Sequence, residues 1–484
     1  MPPTVTSSTL AAAGMPTDPK GPTGHLACWL ADLQLADVPA SAQQRAKDLI
    51  LDGIGCAIVG ARLPWSRTAV DAVCEFEGRG NATIIGWSRS ISGPAAALLN
   101  GTFIQGFELD DFHPYAPLHS ASLVLPALWA AVEHGATRVS GADFLRAAIA
   151  GFEVGPRVGK ALHGTEMLSR GWHSGSVFGT HAAAAATVRL LNLDAARIED
   201  ALGLAGTQSA GLMAAQYEAM CKRMHHGFAS RNGYYAAMLA AHGYTGIKRV
   251  FERDYGGFLS TFGEGHDPDA SQIIEALGER WETQRIVIKP YAAMGGIHCP
   301  LDALFDADAQ RRLVPAEIAQ IDCYVSHALF HHGHWKPERP LTPIGAQMNI
   351  GYALAVGLLD RAALVKQFSP SRINCDDVWD MLARIRVHHE PAFDDSDPAE
   401  RLRTRLVVAF TDGQRIDITR RASRALEAPQ SSQEVVGKYR ALTDGLISAQ
   451  RQDAIEHAVS DIESLEDVRD LIALLAPPVN AAFD

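Results

Sequence analysis

The sequence contains no closely spaced pair of cysteines and no long uncharged apolar run. Its seven cysteines are scattered and no two form a CxxC pair, which argues against a disulfide framework or a cysteine zinc site. No segment reaches the roughly 20 apolar residues that span a membrane. The N-terminus has neither the basic and apolar regions of a secretory signal nor the arginines of a mitochondrial presequence. These absences predict a cytoplasmic protein, in a reducing compartment, that makes no contact with a membrane.

An excess of basic residues is also missing. The formal net charge is −12 and the pI is near 5.9, whereas a nucleic-acid surface is usually basic. No GxGxxG follows a predicted strand, and the sequence has neither a P-loop GxxxxGK[ST] nor a GxSxG nucleophile elbow. We therefore expect no nucleic-acid partner, and the dehydrogenase, kinase and serine-hydrolase interpretations lose support.

Helical spacing dominates most of the chain. Residues 25–270 are rich in Ala, Leu and Gly at helical intervals, and the same spacing returns over residues 426–484. Residues 1–24 carry little charge and are rich in Thr, Ser, Ala and Pro, which predicts a disordered tail. A chain of 484 residues is longer than a domain with a single hydrophobic core usually is. We predict a mainly α fold with a large all-helical domain built from both ends of the chain.

The segment between the two helical parts has a different pattern. Within residues 271–425, apolar and polar residues alternate over 285–290, 321–325, 385–388, 402–410 and 415–419, which indicates strands. The last two are separated by a turn that contains Asp412-Gly413, a strong hairpin signal. Helical stretches over 297–307 and 345–359 lie between the strands. We predict that residues 271–425 form a smaller inserted α+β lid domain.

An acidic loop follows one of the apolar helices. Prolines in the segment 108–119 interrupt the helix, so Asp110, Asp111, His113 and His119 lie on a shaped loop. Histidine beside carboxylates suits proton transfer, because the acid orients the imidazole and moves its pKa. The same side chains could instead only cap the flanking helices.

Two further segments can bind anions. His173 precedes Ser174-Gly175-Ser176 at a predicted helix start, where backbone amides and the helix dipole favour a carboxylate, although a helix cap beside a buried histidine fits this segment, taken alone, somewhat better. The second segment contains a basic group among apolar residues that look packed. Its members suit the binding of several carboxylates, and a solvated basic face is the alternative. They are Lys222, Arg223, His225, His226 and Arg231.

Histidines are also frequent in the predicted lid. His298 follows two glycines, and His327, His331, His332 and His334 lie close together. This group invites a metal interpretation, but no HExxH motif or familiar ligand spacing accompanies it. His298 and either His331 or His332 could instead reach across a cleft between the two domains. We predict no metal.

These motifs, in this order, resemble the MmgE/PrpD family over nearly the whole chain. The resemblance lies in LILDGIGCAIVGARLPWS (49–66), ELDDFHPYAPLHSASLVLPA (108–127), KRMHHGFASRNG (222–233) and ERDYGGFL (252–259). Within the family, which includes 2-methylcitrate dehydratases, these segments look like those of fungal cis-aconitate decarboxylases. The resemblance implies a helical domain with a smaller lid, a homodimer, and an active site between the domains.

The resemblance also implies roles for individual residues. His119, His173 and Lys222 match catalytic positions, and His113 and Asp110 belong to an acidic loop whose spacing varies within the family. The remaining candidates are expected to bind the substrate. These are Arg223, His225, His226, Asp111, His298 and His332, of which His298 matches the family's lid histidine. The family's lid tyrosine has no evident counterpart in the histidine-rich segment 330–335.

The implied reaction is decarboxylation of a small polycarboxylate, cis-aconitate, to itaconate and CO2. Its double bond is conjugated with a carboxylate and accepts the electrons released with CO2, so no cofactor is needed. The reaction requires cations to stabilise the developing charge and an acid to protonate carbon. The same residue types fit dehydration of 2-methylcitrate or a longer alkylcitrate, isomerisation or epimerisation of a dicarboxylate, and a catalytically silent binding protein.

Overall fold

The computed structural model describes residues 14–135, 137–394, 397 and 400–483. The protein is 59% helical, which confirms the mainly α fold class. Among the described residues the α-helices are α1 Pro22–Asp32, α2 Ala40–Gly60, α3 Pro64–Phe76, α4 Gly93–Ile104, α5 Ser120–His134, α6 Gly141–Ala161, α7 Gly164–Ser169, α8 Ser174–Leu190, α9 Ala195–Gly206, α10 His225–Ala241, α11 Phe258–Phe262, α12 His298–Gln310, α13 His327–Gly333, α14 Pro343–Gln347, α15 Ile350–Asp360, α16 Pro370–Ile373, α17 Asp376–Leu382, α18 Arg424–Glu427, α19 Ser432–Thr443, α20 Ala449–Ser460 and α21 Arg469–Leu475. The strands are β1 Ala82–Ile84, β2 Arg89–Ile91, β3 Asp111–Phe112, β4 Val287–Ile288, β5 Ile318–Val325, β6 Ile385–His389, β7 Thr404–Phe410 and β8 Arg415–Arg420.

Helix α8 occupies the centre of the helical part of the molecule. All of its residues are buried, and it packs against α6, α10 and α5. Small residues make this close approach possible: a Cβ on Gly151 of α6 would lie only 2.9 Å from the carbonyl oxygen of Ala182. The N-terminal end of α8 is held against the loop that precedes α5, because the hydroxyl of Ser174 donates to the carbonyl oxygen of Pro117 at 2.6 Å.

The C-terminal helices pack onto the N-terminal ones. Helix α19 lies against α2, with Tyr439 fully buried between them. Within the described part of the chain no single helix has the length and hydropathy of a membrane span, although α2 and α3 reach them together across an 84° bend.

Residues 14–24 differ from the expected disordered tail. Helix α1 already begins at Pro22, and the backbone N–H and hydroxyl of Thr17 donate to Glu199 at 2.9 and 3.0 Å. The hydroxyl of Thr23 donates to Glu252 at 2.5 Å. Composition did not reveal these partners, because the two glutamates lie about 200 residues later in the sequence. Residues 1–13 of the predicted tail lie outside the described residues.

A four-stranded sheet forms in the second half of the chain, in the order β6-β5-β7-β8. β5 is parallel to β6 and antiparallel to β7, and β7 pairs with β8 through the predicted hairpin. Gly413 adopts a φ of +86° in that turn, a conformation that glycine tolerates without strain. The strands predicted over 321–325, 385–388, 402–410 and 415–419 are therefore confirmed.

The strand predicted over 285–290 is much shorter in the structure. Only β4 forms, and it pairs with β3 of the acidic loop, with Asp111 opposite Ile288 and Phe112 opposite Val287. Lys289 follows β4 directly, so this pairing brings its side chain to the acidic loop. The helix predicted over 345–359 is also divided, because Asn349 caps α15 by accepting from the N–H of Tyr352 at 2.9 Å.

Candidate active site

A cavity of about 170 Å³ lies where the acidic loop, the start of α8 and the segment before α10 meet residues from the second half of the chain. Five of the predicted site residues line it: His113, His119, His173, Lys222 and His332. The wall also contains Glu108, Phe112, Pro114, Pro117, Leu118, Thr165, Leu168, Ser174, Met213, Lys289, Met294, Gly295, Gly296, Ser326, Ala328, Leu329, Met348, Arg401 and Leu402. Much of this wall is apolar, so charges that face the cavity are poorly screened.

Glu108 is the centre of a buried ionic cluster. Lys222 donates a hydrogen bond to its Oε1, Lys289 Nζ lies 2.9 Å from Oε2, and Arg223 Nη1 lies 3.5 Å from Oε1. Burial alone would raise the pKa of Glu108, but the two lysines hold it well below the usual range. Three cations thus surround one ionised carboxylate, and Asp110, 3.9 Å from Lys289, is the next acid. A bound anion would balance the excess of positive charge.

His119 and Asp110 form a hydrogen-bonded pair at the edge of this cluster. His119 Nδ1 lies 2.8 Å from Asp110 Oδ1. Burial raises the pKa of Asp110 to about 7 and lowers that of His119 well below its usual value. Asp110 itself is behind His119 and does not line the cavity. The pair can therefore hold one proton near neutral pH, with the imidazole as its only part in the cavity.

Asp111 and His113 stabilise the acidic loop. Asp111 accepts from the N–H groups of Ser120 and Ala121 at 2.5 and 2.8 Å and so caps the start of α5. His113 lies 3.1 Å from Glu282 through Nε2 and accepts from the N–H of Ala116 through Nδ1 at 3.2 Å. Asp111 does not line the cavity, and both ring nitrogens of His113 are already engaged, one by Glu282 and the other by the backbone of the loop.

His173, His225 and His226 lie beside His119. The ring centroids of His119 and His226 are 4.9 Å apart, those of His226 and His173 5.3 Å, and those of His173 and His225 4.4 Å. Gly175 permits this packing, because a Cβ there would lie 2.5 Å from His226 Nε2. His226 lies behind the cavity wall, and His225 lines a separate groove on the other side of His173.

Two other predicted binding residues are held by internal hydrogen bonds. Arg223 donates to Gln347, whose own amide donates to the carbonyl oxygens of Phe107 and Ala292 at 2.7 and 2.9 Å. His298 is fully buried, with Nε2 3.1 Å from the carbonyl oxygen of Ala293. Neither lines the cavity.

Three of the four histidines in the predicted lid group lie beside the cavity, and the fourth, His334, does not line it. His332 lines the cavity and, with His327 and His331, an adjoining surface depression. Arg401 lines both, and its Nη1 lies 3.0 Å from Glu166. Among the described residues, no three His, Cys, Asp or Glu side chains come together as a set of metal ligands.

Sequence reasoning did not single out Glu108, Lys289, Gln347 or Arg401. Glu108 opens the acidic loop in the left-handed conformation, with φ +54°. In the sequence, the adjacent acids Asp110 and Asp111 are the more evident candidates for chemistry. Lys289 ends an otherwise apolar run, IVIKP, and a buried lysine after a strand was the signal that could have identified it.

Comparison with known proteins supplies a family. The model of the MmgE/PrpD N-terminal domain matches residues 24–271, and that of the MmgE/PrpD C-terminal domain matches residues 291–464. The chain is 43% identical to the cis-aconitate decarboxylase-like protein oryM of Aspergillus oryzae, covering 94% of this chain and 97% of that protein. It is 41% identical to the cis-aconitate decarboxylase of Aspergillus terreus, over 95% and 97%. The human cis-aconitate decarboxylase is 26% identical, over 90% of each chain.

Proposed function

Because the chain belongs to the MmgE/PrpD family, we propose that it decarboxylates cis-aconitate to itaconate and CO2. The name of the Aspergillus terreus relative, at 41% identity over nearly both full lengths, supports this choice of reaction. The observation that carries the proposal is the buried excess of cations around Glu108, which suits a substrate with three carboxylates.

The proposed reaction divides into bond cleavage and protonation. The C–C bond to the carboxylate of the carboxymethyl arm breaks, and its electron pair moves through the double bond to the far carboxylate, giving a dienolate and CO2. Lys222 and Lys289 stabilise the negative charge that develops. His119 then donates a proton to the former alkene carbon, which completes itaconate, and Asp110, hydrogen-bonded to the other ring nitrogen, orients the imidazole and shares its proton. His173, at the start of α8, binds a second carboxylate.

We assign the other predicted residues supporting roles. Arg223 holds Glu108 in place, Asp111 fixes the start of α5, and His332 contacts substrate at the mouth of the cavity. We also retain His226 and His298 as residues that shape the walls from behind. The conjugated double bond itself accepts the electrons, so the proposed chemistry draws on no cofactor.

The proposed domain arrangement is a helical body, residues 25–270 and 426–484, with an α+β lid over residues 271–425. Packing of α19 on α2 supports assigning the last helices to the body. The salt bridge between Arg401 and Glu166 would then join lid and body at the cavity mouth. Separate expression of residues 271–425 tests the boundaries, since an autonomous lid should retain its sheet by circular dichroism.

We further propose a cytoplasmic homodimer with no nucleic-acid or membrane partner. The seven cysteines are free thiols, which suits a reducing compartment. Tyr235 and Leu239, four residues apart on α10, are 41% and 39% exposed, and an apolar helix face of this kind suits burial against a second copy. Light scattering should give the dimer mass for the wild type and the monomer mass for a Tyr235→Asp, Leu239→Asp variant.

Product analysis tests the proposed reaction. The purified protein is incubated separately with cis-aconitate, 2-methylcitrate and a longer alkylcitrate, and products are identified by NMR and CO2 release. Itaconate and CO2 in equal amounts from cis-aconitate alone are expected. An unsaturated acid from an alkylcitrate, without itaconate, would instead establish a dehydratase, and no turnover of any acid would favour a binding protein.

A further inference from the structure

The histidines behind the cavity form a continuous series that ends at a second opening. Its order is His119, His226, His173 and His225, with successive ring centroids 4.9, 5.3 and 4.4 Å apart. His119 and His173 line the cavity, whereas His225 lines a groove between α10 and the segment before it. Because Leu212 and Cys221 of that groove are exposed, the groove is open to solvent.

Three ring nitrogens in this series are free to accept a proton. Ser122 donates its hydroxyl to the carbonyl oxygen of His119 at 2.9 Å, so it accepts from His226 Nδ1, 2.8 Å away. This bond leaves His226 Nε2 with a lone pair. Within the described chain, that atom and Nδ1 of both His173 and His225 are buried without a hydrogen-bond partner. Buried polar atoms are usually hydrogen-bonded, so three unpaired imidazole nitrogens in one series require an explanation.

The proposed reaction creates a demand that this series can meet. Cleavage converts a trianion and one proton into the itaconate dianion and CO2, so His119 must regain a proton from solvent in every turnover. A tricarboxylate bound in this cavity of about 170 Å³ would lie between His119 and the mouth beside Arg401. Protons therefore need an approach from behind the bound substrate.

We propose that His225, His173 and His226 form a proton relay that carries protons from the groove to His119. The inference rests on the proposed decarboxylation, because dehydration consumes no net proton. In each cycle His225 takes a proton from water or a buffer acid in the groove, and one proton moves on to His173 or His226 and then to the imidazole of His119. Since the rings are adjacent but not hydrogen-bonded to one another, each transfer uses a bridging water or a small rotation of a ring. No electrons are exchanged, and each imidazole ends the cycle in its starting state. Burial lowers the pKa of His225 to about 4, so it is neutral near pH 7 and has the lone pair that the transfer needs.

Chemical rescue tests the relay. His225→Ala should lower kcat about 100-fold, the lower end of the usual contribution of a proton-transfer group, and leave KM within about twofold. Imidazole added to this variant should restore kcat in a saturable manner, because a small acid can occupy the vacated site at the groove. His225→Gln keeps a polar side chain of similar reach if alanine disturbs folding, and its kcat should fall equally because an amide neither takes up nor releases a proton near neutral pH. His242→Gln, just beyond the end of the same helix, is the matched control and should keep wild-type kcat without any response to imidazole.

The outcomes separate the relay from the reaction that it serves. Wild-type itaconate production together with an unchanged kcat in both His225 variants would overturn the relay alone. A reduced kcat in His225→Ala that imidazole does not raise would overturn it too, since that is the behaviour of a packing residue. Failure of the wild type to form itaconate would overturn the proposed function and, with it, the need for proton delivery.

Discussion

Lys289 Nζ lies 2.9 Å from Glu108 Oε2 although 181 residues separate them in sequence and both side chains are almost fully buried. The contact depends on the short pairing of β4 with β3, which places Lys289 beside the acidic loop. A buried ion pair is seldom a net source of stability. Its value here is that it holds a second ammonium group at the cavity wall, next to Lys222.

Replacement of Lys289 tests its role in substrate binding. Lys289→Met should lower kcat/KM roughly 10- to 100-fold, because a hydrogen bond to a charged group contributes about 1.5–3 kcal/mol and 1.4 kcal/mol is a factor of ten. Steady-state kinetics with cis-aconitate measures the effect. Lys248→Met is the control, since Lys248 also pairs with a carboxylate, that of Asp200, but lies away from the cavity wall. A kcat/KM within about twofold of wild type for Lys289→Met would remove this lysine from the mechanism.

The Asp110 and His119 pair predicts the pH dependence of turnover. The pKa of Asp110 is raised to about 7 by burial, so the pair holds a proton below that pH and loses it above. As the proposed proton donor, it should make kcat fall as pH rises through about 7. Asp110→Asn should lower kcat about 100-fold and abolish this limb of the pH profile.

Asp48→Asn provides the comparison, because burial also raises the pKa of Asp48 but this side chain contacts Gln44 on α2 instead of the cavity. That variant should retain the limb near pH 7. A profile for Asp110→Asn that still falls through the same pH would show that another group donates the proton.

The sequence predicts features that depend on local pattern, but it does not predict those that depend on long-range packing. The alternation over 402–410 and 415–419, with Asp412-Gly413 between, is a local signal and identified β7 and β8 correctly. His119, His173 and Lys222 were found because each lies in a segment with unusual local composition. Their meeting at one cavity depends on α8 and α10 packing side by side, which no local pattern encodes.

The features that the sequence did not reveal have the same physical origin. Lys289 could be read only as the end of a strand, because its partner Glu108 is brought to it by tertiary pairing. Arg223 and His298 were predicted as substrate ligands from their chemistry, and the sequence could not reveal that Gln347 and the backbone of Ala293 engage them. The tail prediction failed at Thr17 for a related reason: its composition is that of a disordered segment, and its partner Glu199 is distant in sequence.

Gly175 provides a test of the packing that brings the histidines together. A Cβ on Gly175 would lie 2.5 Å from His226 Nε2 and 2.9 Å from the Cα of Leu118. Gly175→Ala should therefore displace the loop before His119, destabilise the protein by about 1–3 kcal/mol and lower kcat. Thermal or urea unfolding and kinetics measure the two effects.

Gly437→Ala is the matched control within a helix. Among the described residues, no atom beyond the chain neighbours of Gly437 and the backbone of its own helix lies within 4 Å of a Cβ added there. Alanine also favours the helix by about 0.5–1 kcal/mol. This variant should be slightly more stable and fully active. Equal behaviour of the two variants would contradict the close approach at Gly175.

His181 predicts how stability responds to acid. It is fully buried beside Phe251 and Phe258, with ring centroids 5.1 and 4.5 Å away, and burial lowers its pKa to about 3. Between that value and its unfolded pKa near 6.5, only the unfolded chain binds the proton. The free energy of unfolding should therefore decrease as pH falls through this window, by about 1.4 kcal/mol per pH unit from this residue.

The variant His181→Leu should reduce that slope by the contribution of one proton while leaving the profile above about pH 6.5 parallel to wild type. Urea unfolding at several pH values measures both slopes. Identical slopes for the two proteins between about pH 4 and 6 would mean that His181 is protonated in the folded state as well.

Turnover of cis-aconitate in D2O, followed by NMR, is the most direct test of the proposed dienolate mechanism. Electron flow into a dienolate beside Lys222 and Lys289, with protonation by His119, predicts itaconate that carries one deuterium in its saturated methylene group and none in the terminal =CH2. Deuterium in the =CH2 group would mean that the proton arrives at the carbon that lost CO2, and the dienolate mechanism would then be wrong.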